Sequence, residues 1–405
     1  MESIKKIFKI GNGPSSSHTM GPKFAAEIFA DKNPKANSFK VYLYGSLALT
    51  GKGHMTDYII EKTLPKPVEI IWKNDESLPL HPNGMLFEAY DQDGEKLDDW
   101  EVYSIGGGEL MDKDSESKEE NIYPQNTMVD IMRHLEENGG TLWEYVLETE
   151  GEQVLEYMKE VWDTMKDAIL RGLEADGTLP GVLKLKRKAP SYHVKARMQN
   201  KFAEDDTFLF AYALAVSEEN AAAGKVVTAP TCGSSGILPS VLYHFYKKYD
   251  FSETQILKAL TVAGLVGNLI KENASVSGAE VGCQGEVGAA CSMAAAAVTQ
   301  LLGGTTYQIE YAAASGLEHH LGLTCDPIAG LVQVPCIERN AFGAQRALDS
   351  ALYAIHSDGR HMVSFDNVVE VMEQTGHDLP SLYKETSLGG LATMGLHGRP
   401  DEKGK

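Results

Sequence analysis

Over the first 150 residues, apolar and polar positions alternate with a period of two at several places. Phe39, Val41 and Leu43 are separated by Lys40 and Tyr42, which predicts a strand buried on one face. Residues 67–73 are apolar and β-rich. Residues 85–92 run into 95–104 across Asp93-Gly94, a dipeptide suited to a two-residue hairpin turn. Helices fit between the strands: after Thr19, the residues Met20, Phe24, Ala25, Ile28 and Phe29 fall on one face at helical spacing. Residues 1–150 are therefore expected to form a small α/β domain.

From about Gly140 the period becomes that of helices. Residues 141–172 read as one long helix, and 151–190 as a helical linker region ending in the basic stretch 184–190. Residues 191–405 read as a second domain of Ala-rich helices with glycine punctuation, with helices at 207–223, 239–248, 253–271, 287–302 and 340–353. Residues 289–302 have no polar face, which places that helix inside a packed bundle. The expected fold class is α+β, a small N-terminal α/β domain followed by an all-α helical one.

Composition narrows the function. With 43% hydrophobic and 23% charged residues the chain has the make-up of a soluble globular protein, and 405 residues exceed one ordinary core. A formal net charge of −20 argues against a nucleic-acid surface. The one basic knot, 184–188, reads as a solvated linker. No run of about 18 apolar residues occurs and the N-terminus lacks a signal-peptide layout, so no membrane partner and a cytoplasmic location are expected. Five cysteines all lie beyond position 230, an arrangement that suggests metal binding or buried thiols rather than disulfides.

Four segments could carry chemistry. Gly13-Pro14-Ser15-Ser16-Ser17-His18-Thr19 opens into a helix and offers hydroxyls and N–H groups to a carboxylate or phosphate, although an ordinary N-cap explains it as well. Gly51-Lys52-Gly53-His54 sets a histidine on a loop, where it can titrate near neutrality or be inert. The polar interlude running from Lys271, Asn273 and Ser275 through Glu280 and Cys283 to Glu286 lies between two very apolar helices, so a site or a wet loop must account for it. Finally, Thr324-Cys325-Asp326-Pro327 and Val334-Pro335-Cys336 put two thiols beside prolines, on what should be irregular backbone. Cys283, Cys325 and Cys336 are separated by 41 and 10 residues, unlike a zinc ribbon, and spacing alone fits buried inert cysteines equally well. Cys291, within an Ala-rich helix, reads as inert.

Taken together these segments resemble the iron–sulfur L-serine dehydratases (L-serine ammonia-lyases) in their single-chain form. Besides the motifs above, the resemblance is carried by Tyr44-Gly45-Ser46-Leu47-Ala48, Gly106-Gly107-Gly108, Ala229-Pro230-Thr231, Arg339-Asn340, and Tyr383-Lys384-Glu385-Thr386 with Gly389-Gly390-Leu391-Ala392. The resemblance implies a β-type domain related to allosteric substrate-binding domains and a helical catalytic domain with a [4Fe–4S] cluster. It implies Cys283, Cys325 and Cys336 as its ligands, L-serine as substrate, and pyruvate and ammonia as products. A homodimer serving amino-acid catabolism and gluconeogenesis is expected with it.

On this reading an iron with an open position assists departure of the β-hydroxyl, and a base takes the Cα proton, His54 in first place and His18 in second. Ser15, Ser16 and Ser17 would hold substrate, with Lys271, Asn273 and Ser275 around them. Single-chain members often end in a cysteine that reaches the fourth iron, whereas this sequence ends in His397-Gly398-Arg399-Pro400-Asp401-Glu402-Lys403-Gly404-Lys405. Water or substrate is then expected at that iron. Cys232 stands where a smaller or amide residue is expected and reads as lining the pocket. Two rivals are a pyridoxal-phosphate β-eliminase using Gly233-Ser234-Ser235-Gly236 as a phosphate cup, and a non-catalytic amino-acid or iron–sulfur sensor.

Overall fold

The computed structural model describes residues 1–113, 121–198, 204–385 and 389–393. They fall into two compact units, Gly11–Lys118 and a larger one made of Met1–Ile10 with Glu119–Lys405.

After the short strand β1 (Ile10–Asn12), the smaller unit continues through a π-turn at Ser16–Met20 into α1 (Gly21–Lys32), then β2 (Ser38–Tyr44), α2 (Gly45–Thr50), α3 (Thr56–Thr63), β3 (Val68–Lys73), β4 (Gly84–Tyr90), β5 (Lys96–Gly106) and β6 (Glu109–Asp112). Its five-stranded sheet has the order β3-β2-β4-β5-β6, with β2 and β3 parallel and the other pairs antiparallel. The parallel pair follows from the helical crossover α2–α3 between its strands, since parallel neighbours cannot be joined by a tight turn. The period-two pattern holds: Phe39, Val41 and Leu43 are buried and pack with Phe29, Ile60 and Phe87, while Lys40 and Tyr42 are partly exposed.

The β4–β5 connection differs from the two-residue turn that Asp93-Gly94 suggested. Asp91 N donates to Glu95 O at 3.0 Å, closing a three-residue loop in which Gly94 takes φ +82°. Asp91 Oδ1 also accepts from the backbone N–H of Asp93 and of Glu95, and this favours the longer loop.

The larger unit is helical: α4 (Met128–Asn138), α5 (Leu142–Glu150), α6 (Val154–Glu174), α7 (Ala189–Met198), α8 (Glu204–Ala221), the three-residue strand β7 (Lys225–Val227), α9 (Ile237–Lys248), α10 (Glu253–Asn273), α11 (Gly278–Val281), α12 (Ala289–Leu301), α13 (Thr306–Glu318), α14 (Cys336–Ile355) and α15 (Phe365–Asp378). The architecture is thus α+β. α12 is buried on all sides and packs against α9, α10, α13 and α14, as its lack of a polar face requires. Its small side chains let backbones approach: a Cβ on Gly316 of α13 would lie 3.0 Å from Ser292 Cα.

Two expectations fail here for local reasons. The long helix over 141–172 is two helices, broken where Gly151 takes φ +78° and its N–H bonds Leu147 O. Glu150, the last residue of α5, is buried and accepts from Ile4 N at 2.7 Å, Ser3 Oγ at 2.5 Å and Tyr123 Oη at 2.6 Å. The basic knot is solvated at Lys184, Lys186 and Lys188 but is anchored at Arg187 and through its backbone. Arg187 pairs with Glu219 at 2.9 Å with both side chains largely buried, and Lys188 N donates to the buried carboxylate of Glu218. No helix among the described residues is long and apolar enough to cross a membrane.

Candidate active site and metal centre

In the smaller unit, the hydroxyl-rich loop folds around a histidine. Ser15 accepts from His18 N at 3.1 Å and caps the π-turn, and Ser17 Oγ meets His18 Nδ1 at 2.8 Å. His18 Nε2 lies 2.9 Å from Ser46 Oγ, so both ring nitrogens are engaged. The loop carrying His54 is tied to the same turn, because Thr19 Oγ1 donates to His54 O at 2.7 Å and Thr56 Oγ1 donates to His18 O at 2.5 Å. These bonds bring the rings of His18 and His54 to a centroid separation of 4.6 Å.

Both imidazoles are buried, and burial disfavours the charged form. It pushes His54 down to about 4; His18, whose proton would also face that of His54, is held well below its ordinary value. His54 Nδ1 is buried without a hydrogen-bond partner among the described residues. A buried polar nitrogen left unpaired costs roughly 1–3 kcal/mol, which marks a position that a ligand can satisfy. Ser15 and Ser17 direct their hydroxyls at one another and at His18, whereas the neighbouring buried Ser16 makes no side-chain bond among the described residues.

In the larger unit, thiols distant in sequence converge. One ligand atom each from Cys283, Glu286 and Cys325 lie within 4.8 Å of one another. Cys283 sits in the turn between α11 and a second π-turn at Gln284–Gly288, and Cys325 is fixed by Cys325 N donating to Tyr383 O and Glu385 N donating to Cys325 O, both at 2.7 Å. Cys336, by contrast with the irregular backbone expected there, is the first residue of α14. Asn340 holds that helix start to the loop after Pro230: its Nδ2 donates to Cys336 O and Gly233 O, and its Oδ1 accepts from Gly236 N.

The nest is short of positive charge. The Cys325 thiol is raised well above its ordinary value, chiefly by its hydrogen bond with Cys283 and then by burial, and that of Cys336 by burial and the proximity of Cys283 and Glu286, with Arg339 offsetting part. Burial and the Glu286 charge push the Glu385 carboxyl up to about 8. Crowded thiols and carboxyls that resist losing their protons are relieved by a bound cation, and thiolates suit soft metals or an iron–sulfur cluster. The donor set therefore fits a metal centre.

Glu286, Thr231, Asp326 and Asn340 carry no role that the sequence pattern alone reveals, because their parts depend on contacts far along the chain. Asp326 accepts from Thr324 Oγ1 and Leu391 N, with Arg339 at 3.8 Å, and so holds the Cys325 loop. The three residues expected around the substrate have other partners: Lys271 pairs with Glu2 at 2.9 Å, Asn273 donates to Asn126 O, and Ser275 bonds Glu280. Ser275 and Glu280 also line a cavity of about 610 Å³ with Val281, Glu373 and His377. Cys232 is buried and close enough to Glu286 to feel its charge, while Cys291 is buried inside α12. His397 and the C-terminal stretch from 394 onward lie outside the described residues, as does Thr386.

Residues 3–64 match the family model of the serine dehydratase beta chain, which includes His18 and His54. Residues 87–392 match that of the serine dehydratase alpha chain, which includes all five cysteines. The L-serine dehydratase of Streptomyces coelicolor is 40% identical over 447 aligned positions that cover 96% of this chain and 98% of that protein. The L-serine dehydratase of Haemophilus influenzae is likewise 40% identical, covering 97% and 99%, and L-serine dehydratase 2 of Escherichia coli 40% identical, covering 97% and 98%. The aligned spans exceed the 405 residues of this chain, so these relatives carry internal segments that it lacks. The alpha-chain match alone covers more than half the sequence, and on these grounds the chain belongs to the serine dehydratase family.

Proposed function

We propose that this protein is an L-serine ammonia-lyase that converts L-serine to pyruvate and ammonia, with a [4Fe–4S] cluster held by Cys283, Cys325 and Cys336. The observation that supports it most directly is the approach of Cys283, Cys325 and Glu286 to within 4.8 Å of one another in a family named for this reaction. When bound, the cluster supplies an electrophilic iron for the β-hydroxyl that departs. The chain's own residues supply the rest.

His54 is the base for the Cα proton. Its burial keeps the imidazole neutral, ready to accept, and a substrate carboxylate placed beside it raises its low pKa toward the working range. His18 is the second base candidate, fixed in one ring orientation by Ser17 and Ser46. Ser16 is the hydroxyl of the three-serine run left for the substrate carboxylate, while Ser15 and Ser17 shape the loop. Lys271, Asn273 and Ser275 support the larger unit through the bonds described above and act on substrate through that scaffold. The initial product, aminoacrylate, hydrolyses to pyruvate and ammonia after release. The same reading makes the protein a cytoplasmic homodimer feeding amino-acid carbon into gluconeogenesis.

Anaerobic purification with iron and sulfide counting, followed by a serine-to-pyruvate assay, tests cofactor and reaction together. A colourless, iron-free protein that still releases pyruvate would sink the cluster assignment; an iron-loaded protein that releases none would sink the reaction.

A further inference from the structure

We propose that Glu286 is a fourth protein donor to the metal centre, binding through the carboxylate oxygen that faces Cys325; this rests on the preceding reading that the three thiols hold iron. Three cysteines serve three irons of a four-iron cluster, which leaves one iron to a donor other than these three thiolates. A carboxylate already stands in the nest: Glu286 Oε1 lies 3.9 Å from Cys325 Sγ. Its other oxygen, Oε2, accepts from Thr231 Oγ1 at 2.5 Å, which fixes the side chain with Oε1 turned to the Cys325 thiol that donates to it. Ser234 Oγ, 3.2 Å from Thr231 Oγ1, holds that threonine in turn.

The surroundings reserve room for this carboxylate. A Cβ on Gly278 would come within 2.2 Å of Oε1 and one on Gly233 within 2.6 Å of Oε2, so both neighbours have to be glycine while the carboxylate stays where it is. The backbone is also irregular here, because Glu286 lies in the middle of the π-turn Gln284–Gly288, a local rewinding that recurs at functional sites. Buried Gln284 anchors that turn through Gly322 N and Thr375 Oγ1. No lysine or arginine forms an ion pair with Glu286 among the described residues, and the guanidinium of Arg339 is engaged by Asp326 at 3.8 Å and by Thr324 O at 2.6 Å. A carboxylate oxygen is a harder and weaker partner than thiolate for this iron, so it can yield to a substrate whose own carboxylate and hydroxyl are oxygen donors. Glu286 would thus guard the open iron and give way to serine.

The test uses the full-length protein, loaded anaerobically with iron and sulfide, and compares it with Glu286→Gln, Glu286→Asp and Thr231→Val. Iron per chain is followed during exposure to a chelator, and Mössbauer spectra are taken with and without L-serine. In the parent, serine should change the environment of one iron. In Glu286→Gln and Glu286→Asp that iron should be lost several-fold faster than in the parent, with its spectrum altered before serine is added, and Thr231→Val should fall between. Asp keeps the charge but shortens the reach, so matching losses in both variants, with the other three irons retained at the parent's rate, point to coordination rather than to charge. Iron loss at the parent's rate with an unchanged resting spectrum overturns the proposal. A variant with the parent's resting spectrum that no longer responds to serine also overturns it and makes Glu286 a contact for the substrate ammonium. Failure of the parent to take up iron overturns the underlying reading as well, and is distinguishable because no variant is needed to see it.

Discussion

His18 and His54 lie ring beside ring, with centroids 4.6 Å apart, in a setting that keeps both from becoming charged. Hydroxyls of Ser17 and Ser46 take both nitrogens of the first ring, while Nδ1 of the second has no partner among the described residues. One histidine is held and the other is left to react.

The pair makes stability depend on pH in a definite direction. His54 is lowered from 6.5 to about 4 on folding, so its contribution is fully present above the unfolded value and is lost as pH falls toward the folded one. Urea unfolding should show a loss of about 2 kcal/mol from His54 alone between about pH 7.5 and about pH 5. His18 adds to the loss with the same sign. In His54→Asn the drop over this window should be smaller; an equal drop would mean that other groups govern it.

His54→Gln tests the assignment of the base. Removing a positioned general base costs about 100- to 10,000-fold in kcat, and the visible absorbance of the iron-loaded protein should not change, because His54 is not among the thiol-bearing residues. The same substitution at His18 should cost less. Activity equal to the parent's in His54→Gln removes it from this role.

Much of the fold could be read from the sequence wherever one element decides its own burial. Phe39, Val41 and Leu43 declare a one-sided strand, and the run of small apolar residues in α12 declares a buried helix. The break at Gly151 could not be read, because the ligands of the Glu150 carboxylate come from residues 3, 4 and 123. The candidate metal centre was legible only through family likeness: intervals of 41 and 10 residues between thiols carry no geometry by themselves. Glu286 escaped notice because Thr231, the side chain that fixes it, lies on a different loop far along the chain.

Close packing of α12 against α13 gives a test of the helical core. Gly316→Ala would place a methyl 3.0 Å from Ser292 Cα and 3.1 Å from Ser292 N, and backbone cannot move aside as a side-chain tip can. Overpacking of this kind costs about 1–3 kcal/mol, visible as a lowered midpoint in thermal or urea unfolding. An unchanged midpoint would show that the two helices separate more easily than their contacts imply.

The cysteines divide into two classes that one experiment can separate. Cys325 stands in the nest with Cys283 and Glu286, whereas Cys291 is enclosed by α12 and its helical neighbours. Cys325→Ala should therefore abolish most iron uptake on anaerobic loading, since a missing ligand cannot be replaced by a methyl group. Cys291→Ala removes only a small buried sulfur: iron uptake should match the parent, with a stability loss of about 1 kcal/mol from the cavity. Equal iron content in both variants would mean that the converging thiols are structural, and that the metal, if the protein takes one up, is held elsewhere.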